Sequence, residues 1–108
     1  MAADHNPLYA MLQLPADTPL ILRALHVLDW GRTLRFEGMA GERAFTLTFE
    51  DCREILWRVY AHLGGGALDT PLVDFAPGRD QHRSAAQLLT GHFGLSVYYG
   101  ALRVEIKP

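Results

Sequence analysis

Apolar residues recur at helical spacing over one long stretch of the chain, Phe49–Gly66. This stripe comprises Cys52, Ile55, Leu56, Val59, Tyr60 and Leu63. The spacing puts all six side chains on one face of an amphipathic helix. Glu50 and Asp51 suit the start of a helix, and a glycine triplet ends the stretch. We therefore predict one principal helix here, packed against a flat apolar surface.

Before this stretch the apolar residues alternate, which predicts three antiparallel strands in a meander. A turn at Trp30-Gly31 places Leu25 opposite Phe36 and Val27 opposite Leu34. A four-residue loop, Gly38–Gly41, then places Leu34 opposite Phe45. The apolar face of this meander is predicted to contain Leu34, Phe36, Phe45, Leu47 and Phe49.

The cleanest alternation lies at the end of the chain and predicts a hairpin over Leu95–Ile106. A two-residue turn at Gly100-Ala101 pairs Tyr99 with Leu102 and puts every apolar residue on one face. Leu72–Phe75 fits a short strand. The segment Asp80–Thr90 favours a second short helix by propensity, and a strand remains an alternative because short apolar runs fit both periods.

These elements predict a single α+β domain over residues 1–108. Its mostly antiparallel sheet has about five or six strands, an N-terminal meander and a C-terminal hairpin, and one main amphipathic helix packs against it. Residues 1–19 form an N-terminal arm. We expect one short helix before Pro15, and we expect the arm either to be poorly ordered or to serve a partner.

Composition indicates an ordinary globular protein, because 49% of its 108 residues are hydrophobic and 20% are charged. The net charge of −2 provides no general attraction to nucleic acid or to anionic membranes, and neither is predicted as a partner. The N-terminal sequence lacks a signal-peptide pattern, so we expect a soluble cytoplasmic protein. Cys52 is the single cysteine and is expected to be a small buried hydrophobe.

The densest polar run is the loop Arg79-Asp80-Gln81-His82-Arg83. An Asp–His pair flanked by arginines suits anion binding or acid–base chemistry. The candidate ligand-binding residues are Arg79, Asp80, His82, Arg83 and, further along the chain, His92. No nucleophile motif, metal-ligand spacing or phosphate-binding glycine loop accompanies them. No catalytic residue, metal or cofactor is therefore predicted.

Several aromatic and arginine positions fall outside the predicted core, and Trp, Tyr and Arg dominate protein–protein hot spots. The candidate interface residues are Trp57, Arg53, Trp30 and Tyr98. The leading hypothesis is a non-enzymatic protein-interaction module that forms a homodimer or binds another protein. The alternative is a small enzyme or anion-binding protein that uses the loop Arg79–Arg83.

Overall fold

The computed structural model describes residues 7–15, 17–59 and 70–107, and this part of the chain is nearly all β-structure. Its eight strands are all paired antiparallel, in the order β4-β7-β6-β5-β1-β2-β3-β8. They are β1 (Leu20–Leu28), β2 (Thr33–Ala40), β3 (Arg43–Glu50), β4 (Glu54–Val59), β5 (Thr70–Ala76), β6 (Ala86–Thr90), β7 (Phe93–Tyr98) and β8 (Ala101–Ile106).

The sheet is rolled, so that its two halves bury their apolar faces against each other. Only two residue pairs join β1 to β5, and this short pairing divides the sheet into two four-stranded halves. The ring of Phe49 in β3 lies 6.5 Å from that of Phe75 in β5 and 5.2 Å from that of Tyr99, measured between centroids. Burying one such side chain contributes about 1.5–3 kcal/mol.

A short N-terminal helix, α1 (Pro7–Met11), covers part of this core. Leu8 and Leu12 are buried in the same apolar cluster as the strand residues, and the hydroxyl of Tyr9 donates to the carbonyl oxygen of Thr18 at 2.8 Å. The prediction of one short helix in the arm is confirmed. With five residues, α1 is far shorter than the roughly 20 residues of a membrane span, and no helix in the described ranges is long and apolar enough to cross one.

The N-terminal meander is confirmed, with one error of register. Leu25 lies opposite Phe36 and Val27 opposite Leu34, as predicted. Between β2 and β3, however, Leu34 lies opposite Phe49 and not Phe45. The strands continue to Ala40 and Arg43, so the connection is a two-residue turn instead of the predicted four-residue loop. Both registers put the same apolar side chains inward, which is why alternation alone could not separate them.

The prediction of a principal helix, and with it the α+β class, is wrong. Over the described part of the stretch, Asp51 adopts a left-handed conformation (φ 56°) and the chain continues as β4, paired residue by residue with β7. Ile55, Trp57 and Val59 are β-branched or aromatic and share one face of this strand. Tertiary pairing with β7 thus outweighs a pattern that also fits a helix. Tyr60, Leu63 and the glycine triplet lie outside the described residues.

The predicted C-terminal hairpin is also wrong, although its alternation is real. β7 pairs with β6 and β4, whereas β8 pairs with β3, so the two strands lie in different halves of the sheet. At Gly100 the chain crosses between them, and its backbone N–H donates to the carbonyl oxygen of Glu50 at 2.8 Å. Alternation determines which face a residue takes, and it does not determine which strand is the neighbour.

The middle of the chain resolves the alternatives left open by the sequence. The predicted short strand at Leu72–Phe75 is confirmed within β5. The segment Asp80–Thr90 contains no second helix, because a turn at Gly78 (φ 63°) leads through a loop into β6. Ala86 and Leu88 are buried on the inner face of β6, so an apparent helical run serves as an alternating strand.

Substituting Gly38 with alanine should destabilise the fold because this glycine lies where β1, β2 and β3 approach closely. A Cβ there would overlap the carbonyl oxygen of Ile21 and lie 2.9 Å from two ring carbons of Phe45. We expect Gly38→Ala to lower the free energy of unfolding by about 2–3 kcal/mol in urea denaturation.

The matched control is Gly91→Ala, whose Cβ would find its nearest neighbour, a ring carbon of Pro71, at 3.4 Å. Its free energy of unfolding should stay within about 1 kcal/mol of the wild type. Equal losses in both variants would contradict the close packing of the three strands.

Candidate functional site

The edge strand β4 exposes an unusual amount of apolar surface. In the described chain it has a strand neighbour on one side only, β7. Leu56 is 61% exposed, Val59 55% and Trp57 47%. Edge strands of stable monomers normally carry charges, prolines or bulges that prevent further pairing. β4 is therefore the strongest candidate for an interaction surface.

The two faces of β4 have different surroundings. Ile55 and Trp57 lie opposite the buried residues Val97 and Leu95 of β7, so they face inward. The indole of Trp57 stacks on the ring of Phe93, with centroids 4.4 Å apart and planes 14° from parallel. The outward face carries Glu54, Leu56 and Arg58.

A groove of about 510 Å³ runs over the outer face of this half of the sheet, next to β4. It forms because the outward residues of β7 at its floor are small, Gly94 and Ser96. Arg58 of β4 lies at one end of a row of paired residues across the sheet, and Asp74 of β5 lies at the other. The groove thus continues the exposed surface of Leu56 and has opposite charges at its two sides.

The opposite edge of the sheet, β8, has the character expected of a protected edge. Its exposed residues are Ala101, Arg103 and Glu105. Arg103 lies 3.2 Å from a carboxylate oxygen of Glu50, and the hydroxyl of Thr46 donates to Glu105 at 3.5 Å. β4 also carries charged side chains on its outward face, Glu54 and Arg58. β8, however, exposes no large apolar side chain, so the two edges of the sheet differ in their apolar exposure.

Three of the four predicted interface residues lie at or beside β4. Arg53 directly precedes the strand, and its backbone N–H donates to the carbonyl oxygen of Tyr98 at 2.9 Å. Tyr98 is the register partner of Glu54, and Trp57 lies within the strand. Trp30 is fully exposed in the turn of 3₁₀ helix at Asp29–Gly31, with φ 60°. It lines a shallow depression together with Arg32 and Asp51.

Asp51 is the centre of a polar cluster that sequence reasoning missed. Its carboxylate oxygens lie 3.6 Å from Nε of Arg53, 3.9 Å from a guanidinium nitrogen of Arg32 and 3.4 Å from Nε2 of His82. His82 Nε2 also lies 2.8 Å from the carbonyl oxygen of Asp51. The carboxylate oxygen and the carbonyl oxygen of Asp51 can only accept hydrogen bonds, so His82 donates through Nε2. This interaction holds the loop that contains His82 against the turn after β3.

The cluster joins residues that are distant in sequence and held in uncommon backbone conformations. Asp51, Gln81 and His82 have φ of 56°, 55° and 62°. Gly100 lies directly against Asp51, where a Cβ would come within 2.8 Å of the Asp51 Cβ. From the sequence, His82 was expected to pair with Asp80, and Asp51 was expected to lie at the start of a helix. No local signal marks a contact across 31 positions.

The other predicted ligand-binding residues are divided between two further places. Arg79, Asp80 and Arg83 line one shallow pocket with Tyr99 and Met11. The Tyr99 hydroxyl donates to the carbonyl oxygen of Pro77, and burial, with the nearby charge of Asp80, raises the pKa of this phenol. His82 lies apart from them at Asp51, and His92 lies in the turn between β6 and β7.

The structure gives little support to nucleophilic or metal chemistry. Cys52 is buried and its thiol donates to the carbonyl oxygen of Phe49 at 3.4 Å. Burial, more than any other cause, raises the pKa of this thiol, which opposes thiolate formation. Over the described ranges, no three side chains of the metal-binding kinds converge on one point.

Comparison with known proteins adds no assignment. Neither a protein-family model nor a curated protein matches this chain. Function must therefore be inferred from the exposure, charge and geometry of the residues described above.

Gln81 and His82, which both adopt a left-handed conformation, allow a direct test of the contact between His82 and Asp51. Gln81→Gly removes the strain of a left-handed conformation and should raise the free energy of unfolding by about 0.5–1 kcal/mol. His82→Gly relieves the same strain but loses the bond to Asp51, worth about 0.5–1.5 kcal/mol, so its stability should not rise. Chemical denaturation measures both. An equal gain in the two variants would show that the His82–Asp51 contact contributes nothing.

Proposed function

We propose that this protein is a protein-interaction module that associates with a second copy of itself through the edge strand β4. The observation that carries this proposal is the apolar exposure of Leu56, on the outward face of β4, and of Trp57 and Val59, on its other face, at an edge with no second strand neighbour in the described ranges. A second β4 would add the strand neighbour that the edge lacks and cover Leu56. This is strand addition in its symmetric form, with a two-fold axis.

The sequence of β4 specifies one register for this pairing. If the two-fold axis passes through Leu56, Glu54 of each copy lies opposite Arg58 of the other. Leu56 then lies opposite its own copy, and Ile55 lies opposite Trp57. A shift that places the axis between Leu56 and Trp57 would instead pair Glu54 with Val59. Charge complementarity thus favours a single antiparallel arrangement.

The expected association is weak enough to be reversible. Each favourable cross-strand pair contributes roughly 0.2–1 kcal/mol, and interfaces below about 1,200 Å² are typical of transient complexes. β4 has six residues, so the pairing of two such strands belongs to this class. We expect dissociation constants in the micromolar range.

A second candidate function is anion binding at the shallow pocket of the loop Arg79–Arg83. The observation in its favour is that Arg79 and Arg83 line the same pocket. Asp80 lies there too and opposes an anion, and His82 is engaged elsewhere. We place this function second and propose no catalysis for the loop. The buried free thiol of Cys52 suits a reducing compartment, and we propose the cytoplasm as the site of action.

Charge reversal in β4 tests the proposed register. Glu54→Arg places an arginine opposite Arg58 of the second copy and should weaken association at least tenfold, because like charges directly opposite repel. Arg58→Glu should do the same. The double variant restores opposite charges and should recover the wild-type dissociation constant within about threefold. Sedimentation velocity over a micromolar concentration series measures all four proteins.

The matched control is Arg103→Glu, which changes an exposed charge on the opposite edge strand and should leave association unchanged. A wild-type chain that stays monomeric at high micromolar concentration would overturn the proposal. Association that tolerates each single reversal would overturn the register.

A further inference from the structure

Two buried polar atoms in the described chain have no hydrogen-bond partner, the hydroxyl oxygen of Thr70 and Nδ1 of His92. Thr70 is only 4% exposed. Leaving such a group unpaired costs about 1–3 kcal/mol, so native proteins leave few of them. Two in one place indicate that something else supplies the missing hydrogen bonds.

Both residues line the same cavity, which has a volume of about 190 Å³. It lies between the two halves of the sheet, with Leu22, Leu25 and Phe36 on one side and the stacked pair Trp57 and Phe93 on the other. Apolar walls with a few polar groups are the usual character of a small-molecule site.

The turn that carries His92 is firmly held. The buried hydroxyl of Thr90 accepts hydrogen bonds from the backbone N–H groups of His92 (3.1 Å) and Phe93 (3.0 Å). The N–H of Gly91 donates to the carbonyl oxygen of Pro71 at 3.1 Å, directly after Thr70. These bonds fix the backbone of His92 close to that of Thr70, while His92 Nδ1 is left unpaired.

Size and polarity together define the ligand class. An apolar cavity of about 150 Å³ accommodates benzene, so this one accommodates a single ring with a small substituent. A hydroxyl group can both donate and accept. It can therefore satisfy the nitrogen of His92, the hydroxyl of Thr70, or both.

We propose that this cavity binds a small phenol-like molecule, a single aromatic ring that carries a hydroxyl group. The ring lies among Phe36, Trp57 and Phe93, and the hydroxyl faces Thr70 and His92. The site is on the inward face of β4, and it shares Trp57 with the strand edge proposed for association.

Ligand-observed fluorine NMR with para-fluorophenol and fluorobenzene tests the proposal. We expect saturable binding of para-fluorophenol, at least fivefold tighter than that of fluorobenzene. Thr70→Val removes the hydroxyl with little change of shape and should weaken para-fluorophenol three- to tenfold, by about the worth of one hydrogen bond. His92→Phe should do likewise. Neither variant should change fluorobenzene binding more than about twofold.

Two controls accompany this measurement. Thr46→Val removes a hydroxyl from the outer face of β3 and should leave both affinities unchanged. In a Trp30→Phe background, Trp57 is the single tryptophan, and its fluorescence should change with the same concentration dependence as the NMR signal. This places the ligand at the stacked pair.

Three results would overturn the proposal. The first is no saturable binding of para-fluorophenol. The second is equal affinity for para-fluorophenol and fluorobenzene, or affinities that neither Thr70→Val nor His92→Phe changes. The third is tighter binding of para-fluorobenzoate, which would assign the site to carboxylates, since Arg23 also lines the cavity.

Discussion

The left-handed turn at Asp51, between β3 and β4, is the constraint on which the rest of this structure depends. Here the backbone leaves β3 in a left-handed conformation, and neighbouring segments hold it by backbone hydrogen bonds. Cys52 N–H donates to the Arg32 carbonyl oxygen at 2.8 Å, and Gly100 N–H donates to that of Glu50 at 2.8 Å. These bonds direct the following residues across the end of the sheet to β7. Without this turn, the chain would not continue from β3, beside one edge of the sheet, to β4 at the other edge.

The position of β4 gives its two faces separate roles. The inward face contributes Trp57 to the wall of the cavity that contains Thr70 and His92. The outward face and the free edge present Leu56 between Glu54 and Arg58, a charge pattern that is self-complementary about its centre. One six-residue strand therefore supports both proposals, the association of two copies and the binding of a small aromatic molecule.

Local alternation predicted local structure well. It gave the registers of Leu25 and Val27 against β2, the strand at Leu72–Phe75 and the inward faces of β2 and β3. It failed where the partner of a strand is distant in the chain. β7 and β8 alternate like a hairpin, yet the close approach of Gly100 to Asp51 sends them to different neighbours. The stripe from Cys52 has the spacing of a helix, and pairing with β7 overrides this pattern over Glu54–Val59.

The candidate sites show the same limit. Trp57 was predicted as an interface residue because it did not fit a helical stripe, and it lies exposed on an edge strand, where its use in an interface stays a prediction. The Asp80–His82 pair was predicted because the two residues are close in the sequence. In the structure, the left-handed backbone at His82 directs its ring to Asp51. Thr70 and His92 line one cavity because the pairing of β5 with β6 and the hydrogen bond from Gly91 to Pro71 bring their backbones together, and no short motif encodes this.

Oxidative cross-linking of Leu56→Cys, in a Cys52→Ala background, tests the proposed pairing of β4 most directly. With the axis through residue 56, the two new thiols face each other. Cα atoms in such antiparallel positions are about 4.5–5.5 Å apart, within the range that a disulfide spans. We predict a covalent dimer whose yield follows the protein concentration, while Arg103→Cys on the opposite edge stays monomeric in the same background. Equal cross-linking of the two variants, or none at position 56, would contradict the account.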